Sequence, residues 1–158
     1  MTEDYLQIMI ESLEKKNDVL DRVIVLEKRQ LALAMEEPAD LKKYDASMDE
    51  KGRLIDELGR LDDGFTTTYE RVKDEVQANP EQYKEQVHVM QELIRAAVEK
   101  SVTIEAQEQR NKQAMQSMLS TKRREIRQVQ VSSSAASKYY KAMSQINDID
   151  PQLMDRKK

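Results

Sequence analysis

The sequence is poor in the residues on which compact or cross-linked folds depend. Its 158 residues include no Cys, no Trp, one Phe, three Gly and three Pro. Without Cys there are no disulfides and no thiolate metal sites, and a reducing cytoplasm is the natural location. So few aromatic and turn residues argue against a compact α/β core and favour long helices.

Long apolar runs and targeting signals are missing as well. No stretch approaches the roughly 20 consecutive apolar residues of a membrane-spanning helix, so we expect no membrane insertion. The first five residues, Met-Thr-Glu-Asp-Tyr, have neither the basic flank nor the apolar centre of a signal peptide. These features predict a cytoplasmic protein.

Charged residues are abundant, at 35% of the chain, and apolar residues recur between them at heptad spacing. The clearest series runs in alternating steps of three and four residues: Leu41, Tyr44, Met48, Lys51, Ile55, Leu58, Asp62, Phe65, Tyr69, Val72 and Val76. Such a seam predicts a helix that buries one narrow face against other long helices. Because a buried charge is costly unless paired, we expect Lys51 and Asp62 to meet partners or to lie where the bundle is open.

Two further seams flank this one. The first helix is predicted over Thr2–Glu36, with its seam at Leu6, Ile10, Leu13, Asn17, Leu20, Ile24, Glu27 and Leu31. A break near Pro38 separates it from the second helix. Asn79 as N-cap and Pro80 as first helical residue predict the start of a third helix, which continues to about Val131. Its seam is apolar up to Ile104 and then becomes polar and rich in Met, as expected if its end overhangs the bundle.

The predicted fold is therefore all-α: an elongated antiparallel three-helix bundle or coiled coil over residues 1–131, followed by a C-terminal amphipathic segment and tail over residues 132–158. A short helix is expected from Ala135 to Ile146. Gly52 and Gly59 share one face of the second helix, where they either allow close helix approach or are simply tolerated.

No set of residues suggests catalysis, a metal or a cofactor. His88 is the single histidine, and no Cys or second His can complete a metal site. The three glycines lie singly, so there is no phosphate loop. The basic cluster from Lys122 to Arg127 is small for nucleic-acid binding; a solvated face is the preferred interpretation, and an acidic partner the second. We expect a protein that is not an enzyme and has no cofactor.

The last third of the chain differs from the rest and is the candidate partner-binding region. Residues 1–100 carry a net charge of −9 and residues 101–158 a net charge of +5. Met adapts to varied partners and Tyr supplies large amphipathic contact area. The candidate partner-binding residues are Met115, Met118, Ile126, Val129, Tyr139, Tyr140, Met143 and Ile146. Docking of this region onto the bundle and binding of a partner both remain open.

The pattern resembles the FlgN family of flagellar export chaperones over nearly the whole chain. The similar features are Lys51-x-x-Leu54-Ile55-x-x-Leu58-x-x-Leu61-Asp62, Glu27-Lys28-x-Gln30-Leu31, and Glu108-x-Arg110-Asn111-Lys112 followed by Met115. The resemblance implies an antiparallel helical bundle without enzymatic activity. It also implies that the C-terminal end binds the C-terminal helices of hook-filament junction proteins and that the chaperone delivers them to the type III export apparatus.

The sequence leaves the identity of further partners open. Export-gate or ATPase components could also bind, and the chain could form a homodimer. The alternative class is a structural coiled-coil or stalk-like component, or a scaffold associated with the export ATPase.

Overall fold

Three long α-helices make up nearly all of the described structure. The computed structural model describes residues 1–121, in which α1 spans Thr2–Met35, α2 spans Leu41–Ala78 and α3 spans Lys84–Thr121. At 1.5 Å per residue, α2 and α3 are each about 57 Å long. Residues 1–121 contain no β-strand, which confirms the prediction of an all-helical bundle. The predicted short C-terminal helix lies outside the described residues, as does the end of the third helix.

Contacts near both ends show that α1 and α2 are antiparallel. Lys16 Nζ lies 2.9 Å from Asp62 Oδ1, and Arg29 pairs with Glu50 at 2.7 Å. The residue numbers thus rise along one helix as they fall along the other, as expected for helices joined by a short connection.

Two contacts show that α1 and α3 are parallel. The Asn17 side-chain amide donates to the Leu93 carbonyl at 3.1 Å, and the Asn111 amide donates to the Glu27 carbonyl at 2.8 Å. The three helices therefore run up, down and up, and α2 and α3 are antiparallel.

The backbone of α1 approaches both other helices closely, whereas those of α2 and α3 are farther apart. As a result, α1 buries a broader face than its predicted seam. Ile24 and Leu31, two predicted seam positions, are only half-buried. Further buried residues of α1 are Met9, Lys16, Val19, Val23, Leu26, Gln30, Leu33 and Ala34.

The seam predicted for α2 is confirmed almost residue by residue. Every predicted position from Tyr44 to Val76 is buried, and Leu41 is half-buried. Ser47 is the single buried residue of α2 outside the predicted seam. Its hydroxyl donates to the Tyr44 carbonyl at 2.5 Å, so it brings no unpaired donor into the core.

The apolar core is divided into three clusters along the bundle. The turn-end cluster lies beside the α2–α3 turn and contains Leu6, Met9, Ile10, Leu13, Phe65, Tyr69, Val72, Val76, Tyr83, Met90 and Ile94. The middle cluster contains Val19, Leu20, Val23, Ile55, Leu58, Ala97 and Ile104. The loop-end cluster lies beside the α1–α2 loop and contains Leu33, Ala34, Tyr44, Met48 and Met118. Buried polar residues lie between neighbouring clusters.

The predicted break near Pro38 lies between α1 and α2. Asp40 is the N-cap of α2, and its side chain accepts a hydrogen bond from the Lys43 amide at 3.2 Å. The second helix therefore begins at Leu41, and Pro38 lies in the connection. A carboxylate that binds the exposed amides of the first turn stabilises this start.

The prediction that Asn79 begins the third helix is wrong. The Asn79 side chain donates to the Glu75 carbonyl at 2.9 Å, so it caps the end of α2. Residues 80–83 form a turn, and α3 begins at Lys84. This turn places Tyr83 in the turn-end cluster, where it is 4% exposed.

The glycines of α2 are tolerated rather than required. A Cβ atom added at Gly52, Gly59 or Gly64 would meet no atom of residues 1–121 within 4 Å, and no glycine has a positive φ. No neighbouring helix therefore depends on the missing side chains, which excludes close helix approach as their role.

Candidate functional site

The structure places two of the eight predicted partner-binding residues. Met118 is 5% exposed and belongs to the loop-end cluster, while Met115 is half-buried and packs against it. Met118 is therefore a core residue in this arrangement, and α3 does not overhang the bundle up to Thr121. The predicted residues Ile126, Val129, Tyr139, Tyr140, Met143 and Ile146 lie outside the described residues.

A half-buried apolar rim surrounds the loop-end cluster. It consists of Ala39, Leu41, Ala114, Met115 and Leu119. Because α3 ends its described course at Thr121, the chain continues from this end of the bundle. The rim therefore adjoins the start of the segment that carries the other predicted binding residues.

A buried charged cluster lies between the middle and loop-end clusters. Lys51 of α2 is 1% exposed; its ammonium contacts the Glu108 carboxylate of α3 and lies 3.3 Å from Glu27 Oε2 of α1. We call Glu27, Lys51 and Glu108 the central charged cluster. One cation thus joins all three helices, which meets the sequence-based expectation that Lys51 would have a partner.

Amide side chains surround the central charged cluster. Asn111 donates to the Glu27 carbonyl and accepts from the Gln107 side chain at 3.0 Å. Gln30 donates to Met48 Sδ at 2.9 Å and accepts from Lys51 Nζ at 3.5 Å. These contacts explain why the α3 seam turns polar after Ile104: its polar residues face polar partners within the bundle.

Burial changes the protonation of this cluster. Desolvation by burial, and the nearby Glu108 carboxyl, raise the pKa of Glu27 from 4.5 to about 9. Glu27 is therefore protonated at neutral pH, and the charge of Lys51 is balanced by Glu108. Desolvation and the charge of Glu108 also raise the pKa of Tyr44 to about 12, so its phenol stays neutral.

A second polar layer separates the turn-end and middle clusters. Here Lys16 is 3% exposed and pairs with Asp62 at 2.9 Å. Burial raises the pKa of Asp62, and the charge of Lys16 opposes that shift. Asn17, predicted as a polar seam residue, donates to the Leu13 carbonyl at 3.0 Å and to Leu93. Asp62 thus has the partner that its seam position requires.

A groove of about 670 Å³ opens at the opposite end of the bundle, by the α2–α3 turn. Leu6 and Met9 contribute from α1, and His88 lies on its α3 side. The other lining residues are Tyr69, Val72, Val76, Gln77, Pro80, Glu81, Lys84, Val87, Met90 and Gln91. The groove is mainly apolar, and it lies at the other end of the bundle from Met115 and Met118.

Within residues 1–121, no group of three or more His, Cys, Asp or Glu residues is placed to hold a metal ion. Among the helices of this part of the chain, none is long and apolar enough to cross a membrane. Comparison with protein-family models, curated proteins and solved structures found no match.

Proposed function

We propose that this chain is a cytoplasmic chaperone of the flagellar type III export system, similar to the FlgN family. In this proposal it binds the C-terminal helices of hook-filament junction proteins and delivers them to the export apparatus, without catalysing a reaction. The sequence resemblance set out above supports the proposal. The helical bundle of residues 1–121 agrees with the fold that this resemblance implies.

One observation carries the choice of binding region. The apolar rim of Leu41, Met115 and Leu119 lies at the end of the bundle from which the chain continues into its Met- and Tyr-containing C-terminal sequence. A client helix could lay its apolar face against the rim and that sequence together, as amphipathic helices do in apolar grooves. Tyr139, Tyr140 and Met143 are the proposed anchors.

Net charge also distinguishes the bundle from the C-terminal region. Residues 1–121 carry 17 Lys/Arg and 26 Asp/Glu, whereas residues 122–158 carry 9 and 4. The bundle is negative and the C-terminal region is positive, so each attracts partner charges of the opposite sign. This difference contributes to the orientation in which a partner binds. A client with an acidic helix is expected to prefer the C-terminal region.

The test is titration calorimetry with a peptide from the C-terminal helix of a hook-filament junction protein. Full-length protein is expected to bind, and a chain ending at Val131 is expected to stay folded without binding. Replacing Tyr139 and Tyr140 by Ala should weaken binding about thirtyfold or more, since aromatic anchors often contribute at least 2 kcal/mol.

The matched control is Tyr5→Ala. Tyr5 is a half-buried tyrosine near the turn end, where Arg71 lies over its ring at 5.9 Å, so its loss should leave peptide affinity unchanged. Equal binding by the full-length and shortened chains would place the client on the bundle body and reject this assignment. Self-assembly, or binding to the export ATPase without any junction protein, would instead favour the scaffold alternative.

A further inference from the structure

The two halves of α3 are held to the bundle by different interactions. The first half, residues 84–104, buries Met90, Ile94, Ala97 and Ile104 against α1 and α2. Within residues 105–121, Met118 is the single buried apolar side chain. Apolar burial therefore stabilises the first half of the helix much more than the second.

Buried polar contacts hold most of the second half. Its buried polar residues are Gln107, Glu108 and Asn111. Glu108 contacts Lys51, Asn111 donates to the Glu27 carbonyl, and Gln107 donates to Asn111. A buried ion pair contributes little net stability, because the cost of desolvating the charges offsets their attraction. Segments with little buried apolar surface are the ones that open below the global unfolding free energy.

The central charged cluster can remain balanced when Glu108 departs. The groups that face one another are Glu27 from α1, Lys51 and Tyr44 from α2, and Glu108 from α3. In the closed bundle, Lys51 is balanced by Glu108 while Glu27 holds a proton. If Glu108 moves into water with its charge, Glu27 can lose its proton and pair with Lys51, from which it is only 3.3 Å away.

We propose that residues 105–121 open from the bundle as a unit and that Glu27 replaces Glu108 as the partner of Lys51 when they do. Opening then releases one proton from the Glu27 carboxyl to solvent. The equilibrium constant for opening should accordingly rise with pH, by up to about tenfold per pH unit. This inference does not depend on the identity of the client.

The test is hydrogen exchange of the full-length protein, followed by mass spectrometry between pH 6 and pH 8 and corrected for intrinsic exchange rates. Peptides from residues 105–121 should be at least about tenfold less protected than those from residues 84–104 at pH 8. The difference should shrink as the pH is lowered. Equal protection of the two halves at every pH would overturn the proposal.

Two variants test the proton exchange separately. Glu27→Gln keeps a neutral hydrogen-bonding group beside Glu108 but has no proton to release, so the pH dependence should disappear and the segment should be better protected at pH 8. Glu108→Gln removes the carboxylate that competes with Glu27 for Lys51, so the charge of Glu27 no longer changes on opening and the pH dependence should also disappear.

Glu105→Gln is the matched control, because Glu105 is exposed on the same segment. It should keep the pH dependence of the unmodified protein. Circular dichroism establishes that each variant is folded before exchange is measured. If Glu27→Gln and Glu108→Gln both keep the original pH dependence, the exchange of partners at Lys51 does not occur.

Discussion

The Lys51 ammonium of α2 contacts the Glu108 carboxylate of α3, and both groups are buried in the bundle. This contact spans the two helices whose backbones are farthest apart. The long Lys side chain makes this contact possible. The Glu27 carboxyl of α1 also lies beside the Lys51 ammonium. The central charged cluster therefore fixes the relative height of all three helices, since a shift of one turn would leave a buried charge unpaired.

Glu27 should make the stability of the bundle depend on pH. Its pKa is raised from 4.5 to about 9 in the folded protein, so the folded state holds a proton that the unfolded state releases above pH 4.5. This contribution is complete below pH 4.5 and is lost as the pH rises towards 9. Urea unfolding should show stability falling by up to about 1.4 kcal/mol per pH unit from this group.

The informative comparison is Glu27→Gln, which cannot ionise. The free energy of unfolding of this variant should depend less on pH between 5 and 9 than that of the unmodified protein. Glu14→Gln, on the exposed face of α1, serves as the control and should leave the dependence intact. Parallel curves for all three proteins would show that Glu27 does not hold its proton in the fold.

Removal of Lys51 alone should be strongly destabilising. Lys51→Met leaves the buried Glu108 carboxylate without its cation, and breaking a buried pair in this way typically costs about 3–5 kcal/mol. Replacing the whole cluster by Met at Lys51 and Leu at Glu27 and Glu108 should instead be neutral or stabilising. Lys42→Met, at an exposed position, is the control. Thermal unfolding at pH 7 measures the stability of each variant.

The α2 seam was predictable because a single helix contains all the information that it requires. Large apolar side chains recur at the heptad spacing from Tyr44 to Val76 with only two interruptions, so the buried face follows from periodicity alone. The broader face of α1 was less predictable. Its width depends on how closely two other helices approach it, and no pattern within α1 contains that distance.

The pairing of the buried charges could be predicted only in part from the sequence. The predicted seams of α1 and α2 contain charges at Glu27, Lys51 and Asp62, and α3 contains Glu108. No single helix shows which of these charges lies beside which. A usable signal existed in the distance from the α1–α2 loop: Glu27 lies 8 residues before Met35, and Lys51 lies 10 residues after Leu41. Comparing such distances across a short loop predicts which residues lie at one height.

The start of α3 and the polar end of its seam show where local patterns are ambiguous. Asn79 before Pro80 fits an N-cap, yet the same residue can cap the preceding helix through its amide. The polar seam beyond Ile104 suggested an overhang because its partners, Gln30 and Lys51, belong to other helices. Met118 packs in the loop-end cluster, and a role in partner binding stays a prediction.

Truncation of the apolar seam should be costly. Leu58 and Phe65 are 2% and 3% exposed, and replacing either by Ala should lower the free energy of unfolding by roughly 2–5 kcal/mol, as large-to-small core substitutions do. Arg53→Ala, on the exposed face of α2, should change it by less than about 0.5 kcal/mol. Similar losses for Arg53 and Leu58 in urea unfolding would contradict the assigned core.

Replacing the glycines of α2 by Ala should stabilise the bundle. Gly52, Gly59 and Gly64 all lie inside the helix, and an added Cβ at any of them would meet no atom within 4 Å in the part of the chain that the structure describes. Since Ala loses less backbone freedom on folding, each substitution should raise the free energy of unfolding by about 0.4–1 kcal/mol. The three effects should add, because no shared neighbour couples the sites. Urea unfolding of the single and triple variants measures this, and a loss of stability at Gly52 or Gly59 would show that a helix approaches there after all.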